Sequence, residues 1–133
     1  MHCLIIEDEE MFVSIIEYAL RGCGFNTFDI ASTTREAIDA AARRWPDLIT
    51  ADVSLAEGDG IEAIQVICPQ TSMPVIFITG RPAAEVRALI SDYPVIHKPF
   101  SEQTLTYTIA SAMKWTRFGS PLHQARGRPA ECH

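Results

Sequence analysis

The sequence predicts an α/β domain: a five-stranded parallel sheet with helices packed on both faces. Two patterns carry this reading. Short apolar runs alternate with amphipathic stretches five times along the 133 residues, and strands joined by crossover helices pair in parallel. The apolar runs are continuous rather than alternating, as in strands covered on both faces. A third pattern concerns chemistry. Most of these runs end in a charged or hydroxyl-bearing residue.

Cys3-Leu4-Ile5-Ile6 reads as the first strand, closed by Glu7-Asp8. Phe12, Ile15, Ile16, Ala19, Leu20 and Cys23 then recur at helical spacing, and Gly22 and Gly24 end that helix. Residues 26–31 form a second strand. Thr33 with Glu36 makes a capping box that opens a helix to about Arg44, which Trp45-Pro46 ends. The third strand, 47–52, closes on Asp52. A loop rich in glycine and acid follows to Gly60, then a short helix with Ile61, Ile64 and Ile67 inward. Residues 74–79 form the fourth strand, ending in Thr79. Gly80-Arg81-Pro82 is a turn with Pro82 near the first helical position, and Val86, Leu89 and Ile90 anchor a modest helix. Residues 94–97 are the fifth strand, followed by Lys98-Pro99. Ser101 caps a last helix with Leu105, Ile109, Ala112 and Met113 on one face. The domain is expected to span 1–117, with 118–133 a disordered tail containing no apolar stripe. The few residues after the last helix are too short for an output domain of their own. A (βα)5 chain of this kind is expected to be a flavodoxin-like three-layer sandwich with strand order 2-1-3-4-5, and its ligand crevice at the carboxyl ends of the strands.

Composition narrows the function. Hydrophobic residues make up 47% and charged residues 21%, enough for a packed core. The formal charge of −6 argues against nucleic acid and anionic membrane as partners. No apolar run approaches the roughly 20 residues of a membrane span. The first residues turn acidic too early for a signal peptide, so a cytoplasmic location is expected. Cysteines at 3, 23, 68 and 132 form neither a zinc pattern nor a disulfide framework, and thiols are expected throughout.

In the predicted order, Glu7-Asp8, Asp52, Thr79 and Lys98 converge on one edge of the sheet. Clustered carboxylates repel unless a cation sits among them, and hard oxygen donors without Cys or His favour Mg²⁺. A carboxylate can also be a nucleophile that forms an aspartyl phosphate. The transferred group then needs charge neutralisation, from Mg²⁺ and Lys98, and hydrogen-bond donors, from Thr79 and backbone N–H groups.

This constellation resembles the receiver domain of two-component response regulators. The matching segments are LIIEDE (4–9), DLITADVSLAEGDG (47–60), VIFITG (75–80) and HKPF (97–100). The resemblance implies that Asp52 accepts a phosphoryl group from a sensor histidine kinase or a histidine phosphotransferase. It implies that Glu7, Asp8, Asp52 and the backbone carbonyl of Ser54 hold Mg²⁺. Thr79 and Lys98 would contact the phosphoryl group, and the Lys98-Pro99 bond is often cis in the family. Ser54 and Arg81 would modulate the mouth of the site. The protein would then be no enzyme beyond phosphorylation of its own Asp52 and self-dephosphorylation. It would be a monomer or weak homodimer that acts by binding a downstream protein. The alternative is a phosphate sink or shuttle, which drains a histidine kinase or relays phosphate to a phosphotransferase. A phosphatase with an aspartate nucleophile is disfavoured, because Ser54 stands where such enzymes need a second acid.

Three features depart from the family pattern. Val95 stands where an aromatic switch residue is usual, with Tyr93 two positions earlier. The spacing from Thr79 to Lys98 is short. Gly80 replaces the usual small alanine. Together they resemble a stand-alone alphaproteobacterial group with a Phe-x-Thr-Gly motif. Without a ring at position 95, the stretch 80–94 is expected to carry the conformational change.

Overall fold

A computed structural model describes residues 1–69, 73–90 and 92–118. The expected tail therefore lies outside the described residues, apart from its first position. The chain runs β1 (His2–Ile6), α1 (Glu10–Gly22), β2 (Thr27–Ala31), α2 (Thr34–Arg43), β3 (Leu48–Ala51), α3 (Gly60–Ile67), β4 (Val75–Thr79), α4 (Ala83–Leu89), β5 (Val95–His97) and α5 (Glu102–Phe118). The five strands form one parallel sheet in the order β2-β1-β3-β4-β5. Both the class and the strand order match the expectation.

Apolar content decides which strands lie inside. Every residue of β1, β3 and β4 is buried, so these three form the middle of the sheet. Their side chains divide between two cores. Leu4, Ile6, Ile49, Ala51, Val75 and Phe77 pack against α2, α3 and α4. Cys3, Ile5, Leu48, Ile76 and Ile78 pack against α1 and α5 through Ile16, Leu20, Leu105 and Ile109. Alternation along each strand sends neighbours to opposite faces, which is why continuous apolar runs were needed.

The caps agree with the sequence. The Thr33 hydroxyl accepts the Glu36 N–H at 3.1 Å, although the Glu36 carboxylate reaches back one residue further, to the Ser32 N–H at 2.8 Å. Asp59 caps α3 through the Glu62 N–H at 2.7 Å. Ser101 caps α5 through the Thr104 N–H at 3.0 Å.

Four details differ from the reading. Ile15 is 39% exposed; the buried stripe of α1 is narrower than the apolar spacing indicates. Pro82 is the cap of α4 rather than its first helical residue. His2 is buried, with ring nitrogens 2.9 Å from Thr27 Oγ1 and 3.0 Å from Asp29 Oδ2, and so ties β1 to β2. Cys3 and Cys23 are free thiols, but Cys68 is disulfide-bonded, which corrects the expectation of thiols throughout.

Ile76 is fully buried at the centre of the sheet. Ile76→Ala leaves a cavity there, and should cost about 2–5 kcal/mol in urea unfolding. A loss below 1 kcal/mol would show that α1 and α5 do not clamp this strand.

Candidate functional site

Backbone pairing sets the site before any side chain does. The Glu7 N–H donates to the Ala31 carbonyl and the Asp52 N–H to the Ile6 carbonyl, both at 2.9 Å. The sheet ladder thus continues one residue past β1 and β3, and delivers both carboxylates to the same edge. The Lys98 N–H donates to the Thr79 carbonyl at 2.8 Å, which places the lysine beside the end of β4. The Lys98–Pro99 peptide is cis. Gly60 opens α3 against the Asp52 carbonyl so closely that a Cβ would collide with it. Glycine here lets the helix begin right behind the acid.

Lys98 is the centre of the site. Its Nζ lies 2.9 Å from Glu7 Oε1, 3.0 Å from Asp52 Oδ2 and 3.3 Å from Glu9 Oε1. The ammonium also sits over the Phe12 ring, 4.0 Å from its centroid, a cation–π contact. Asp52 Oδ1 accepts the Ser54 N–H at 3.0 Å, and Asp8 Oδ2 accepts the Ala56 N–H at 2.8 Å. The Thr79 hydroxyl is buried and accepts the Arg81 N–H at 3.1 Å. Arg81 pairs with Glu85 at 3.2 Å, half-buried at the rim.

The structure therefore brings Glu7, Asp8, Asp52, Thr79 and Lys98 to one edge, with Ser54 and Arg81 beside them. Val95 is half-buried in β5, one strand away, and Tyr93 packs edge-on against Phe77 with ring centroids 5.6 Å apart. Sequence reasoning passed over Glu9 and Phe12. Glu9 is the third acid of the run 7–10, so the signal was present. Phe12 was read as core alone, and nothing in a pattern of apolar spacing marks a ring that faces a lysine.

Electrostatics follow from burial. Glu7 is 1% exposed. Burial pushes its carboxyl up from 4.5 to about 7; the charge of Asp52 adds to this, and the Lys98 contact opposes it. Burial by itself would lower Lys98, but the close contacts and charges of Glu7 and Asp52 outweigh it and hold the ammonium above its usual range.

The donor set suits a hard divalent cation. Glu7, Asp8, Glu9 and Asp52 each offer an oxygen, all within 4.8 Å of one another. Glu7 Oε1 is buried and accepts no hydrogen bond; its 2.9 Å approach to Lys98 is a charge contact with poor hydrogen-bond geometry. An oxygen of this kind has a lone pair to give, and an all-oxygen set fits Mg²⁺.

The family model for the response regulator receiver domain matches residues 3–110. The chain belongs to the response regulator receiver family. It is 35% identical over 116 residues to the phyllosphere-induced regulator PhyR of Methylorubrum extorquens, covering 83% of this chain and 42% of that protein. The receiver domain of Erythrobacter litoralis PhyR is similar in structure, with a TM-score of 0.73 and 36% identity over 86% of this chain and 90% of that one. PhyR of Bartonella quintana, described as an anti-anti-sigma factor, has a TM-score of 0.76 and 31% identity over 89% of this chain and 50% of that one. This receiver thus spans about half or less of the length of such full-length relatives. Receiver domains are in general signalling modules rather than enzymes. No helix among the described residues is long and apolar enough to cross a membrane.

The raised Glu7 fixes a sign for pH dependence. Its folded-state pKa lies above the unfolded value, so the folded form holds the extra proton between pH 4.5 and 7. Stability is present in full below 4.5 and falls as pH rises to about 7, with a slope up to about 1.4 kcal/mol per pH unit. In chelator-treated buffer, Glu7→Gln should remove most of that slope and be more stable than wild type at pH 8. Parallel stability curves for the two proteins would contradict this.

Proposed function

We propose that this receiver takes a phosphoryl group onto Asp52 from a phosphohistidine, carried by a sensor histidine kinase or a histidine phosphotransferase, and signals by binding a downstream protein. The observation that carries the reading is the 3.0 Å contact between Asp52 and Lys98 at the end of a buried central strand. The carboxylate stands at the open end of that strand with its counter-ion beside it.

An oxygen of Asp52 forms the new bond to phosphorus as the phosphorus–nitrogen bond of the phosphohistidine breaks, and the imidazole departs with the electron pair. Glu7, Asp8, Asp52 and the Ser54 carbonyl would hold Mg²⁺, which would supply charge neutralisation for the phosphoryl oxygens. Lys98 exchanges a carboxylate oxygen for a phosphoryl oxygen. The Thr79 hydroxyl accepts a hydrogen bond from Arg81 and retains its own proton for the phosphoryl group. Hydrolysis of the acyl phosphate at the same site ends the signal. Ser54, exposed, and Arg81, at the rim, stand where they govern the approach of water. The kinship with a PhyR described as an anti-anti-sigma factor supports a protein, rather than nucleic acid, as the output partner.

With acetyl phosphate and Mg²⁺, intact mass should rise by a single phosphoryl group, and Asp52→Ala should abolish it. Undiminished labelling of Asp52→Ala would overturn the assignment. Lys98→Ala should keep the fold but slow labelling or weaken partner binding by an order of magnitude or more. Wild-type behaviour in both would remove the lysine from the mechanism.

The switch is proposed to lie in residues 80–94. Val95 has no ring to turn. When Thr79 moves to the phosphoryl group it leaves the Arg81 N–H, so the turn before α4 is re-aimed. A cavity of about 390 Å³ between α4 and β5, lined by Val86, Arg87, Ile90, Tyr93, Val95 and His97, leaves room for that shift. Hydrogen exchange with beryllofluoride should show stronger protection across α4 and faster exchange at the Arg81 amide. Equal protection with and without it, together with no effect of Val95→Tyr, would refute a switch in this segment.

A further inference from the structure

The loop that follows Asp52 is held at its far end by a side chain from another helix. Thr34 is the first residue of α2, but Thr33 already makes the cap of that helix. The Thr34 hydroxyl is left free for other bonding, and it is nearly buried against the loop. It accepts the Asp59 N–H at 3.1 Å and donates to the Asp59 carbonyl at 3.2 Å. The Thr34 N–H donates to the Glu57 carbonyl at 3.3 Å. The loop is shaped to receive it. Gly58 has φ +92°, and a Cβ there would run into the Thr34 hydroxyl. Both the backbone angle and the space call for glycine.

The near end of the same loop reaches the acids. The Ser54 N–H holds Asp52 and the Ala56 N–H holds Asp8. Only Glu57 and Gly58 separate Ala56 from Asp59. Two further bonds, from the Leu55 N–H to the Gly58 carbonyl and from the Gly60 N–H to the Val53 carbonyl, both 3.3 Å, close the segment into a compact turn. Asp59 is thus tied through one short, internally bonded turn to the amide that holds Asp8.

We propose that Thr34 is a positioning residue for the cation site. Its hydroxyl clamps the loop between β3 and α3, so that Asp8 and the Ser54 carbonyl stand ready before the cation arrives. The inference rests on the cation-dependent acceptor reading given above. Its chemical requirement is specific, because the clamp uses the hydroxyl as donor and acceptor together. Serine keeps both functions, whereas valine keeps the shape and has neither.

The test is a Mg²⁺ titration of the full chain, followed by amide chemical shifts, for wild type, Thr34→Val and Thr34→Ser. Acetyl phosphate labelling at saturating Mg²⁺ and urea unfolding accompany it. Thr34→Val should bind Mg²⁺ about tenfold more weakly, the scale of losing a partner that orients a metal ligand. It should recover most of its labelling rate once Mg²⁺ saturates, and its Ala56 amide should exchange faster without metal. Thr34→Ser should match wild type in all three. Should Thr34→Val fail to fold, Thr34→Ala removes the hydroxyl without placing a second methyl against the loop, and the same comparison is made with it. Wild-type Mg²⁺ affinity in the variant that lacks the hydroxyl would overturn the proposal, even with lowered stability, since the contact would then be structural alone. Equal weakening in Thr34→Ser would overturn it as well. A wild-type chain that neither binds Mg²⁺ nor labels would overturn the acceptor reading itself, and with it this inference.

Discussion

One ammonium against a nest of carboxylates is the constraint on which this molecule turns. Glu7, Asp8, Glu9 and Asp52 converge because the ladder of a parallel sheet delivers strand ends to a common edge. The fold has no way to spread them. Lys98 answers with contacts to three of them, and also sits over an aromatic face. A single positive charge cannot balance four negative ones, and burial aggravates the mismatch at Glu7. The residual strain is electrostatic and local. It makes this edge receptive to a hard cation.

The arrangement of the two cores explains why that strain is tolerated. The carboxylates stand on β1 and β3, which are buried throughout and gripped from both faces. Repulsion at the strand ends cannot easily separate strands whose other residues lie between two helical layers. Lys98 arrives from β5, a strand of only three residues. The fully buried part of the sheet thus carries the acids, and its slighter outer part carries the lysine.

Much of this was legible in the sequence. Continuous apolar runs disclosed a doubly covered sheet, and polar residues closing those runs disclosed Glu7, Asp8, Asp52, Thr79 and Lys98. Such features are local in the chain, so a pattern reader can find them. What escaped depends on distance through space. Ile15 has the spacing of a core residue, but α1 is partnered along a narrower stripe than its apolar face offers. Thr34 looks like the second half of a Thr-Thr cap, and only the fold brings Asp59 to its hydroxyl. Phe12 belongs to the α1 core by periodicity, and to Lys98 only by tertiary placement. Glu9 is the exception: its acidic neighbours advertised it.

The outer strands have a consequence for life in a crowded solution. A parallel sheet that never closes has two rims whose backbone groups can recruit a foreign strand. On the β5 side, three residues are too short a template. The β2 side is five residues long and exposes half of Ile30. There the chain sets charges as sentries. Asp29 sits on the strand itself, bound to His2, and the Arg21 guanidinium covers the Phe28 ring at 4.8 Å. Charge beside an exposed edge is one of the ways a sheet avoids pairing with another chain, so these two side chains serve the chain's solubility as well as its packing.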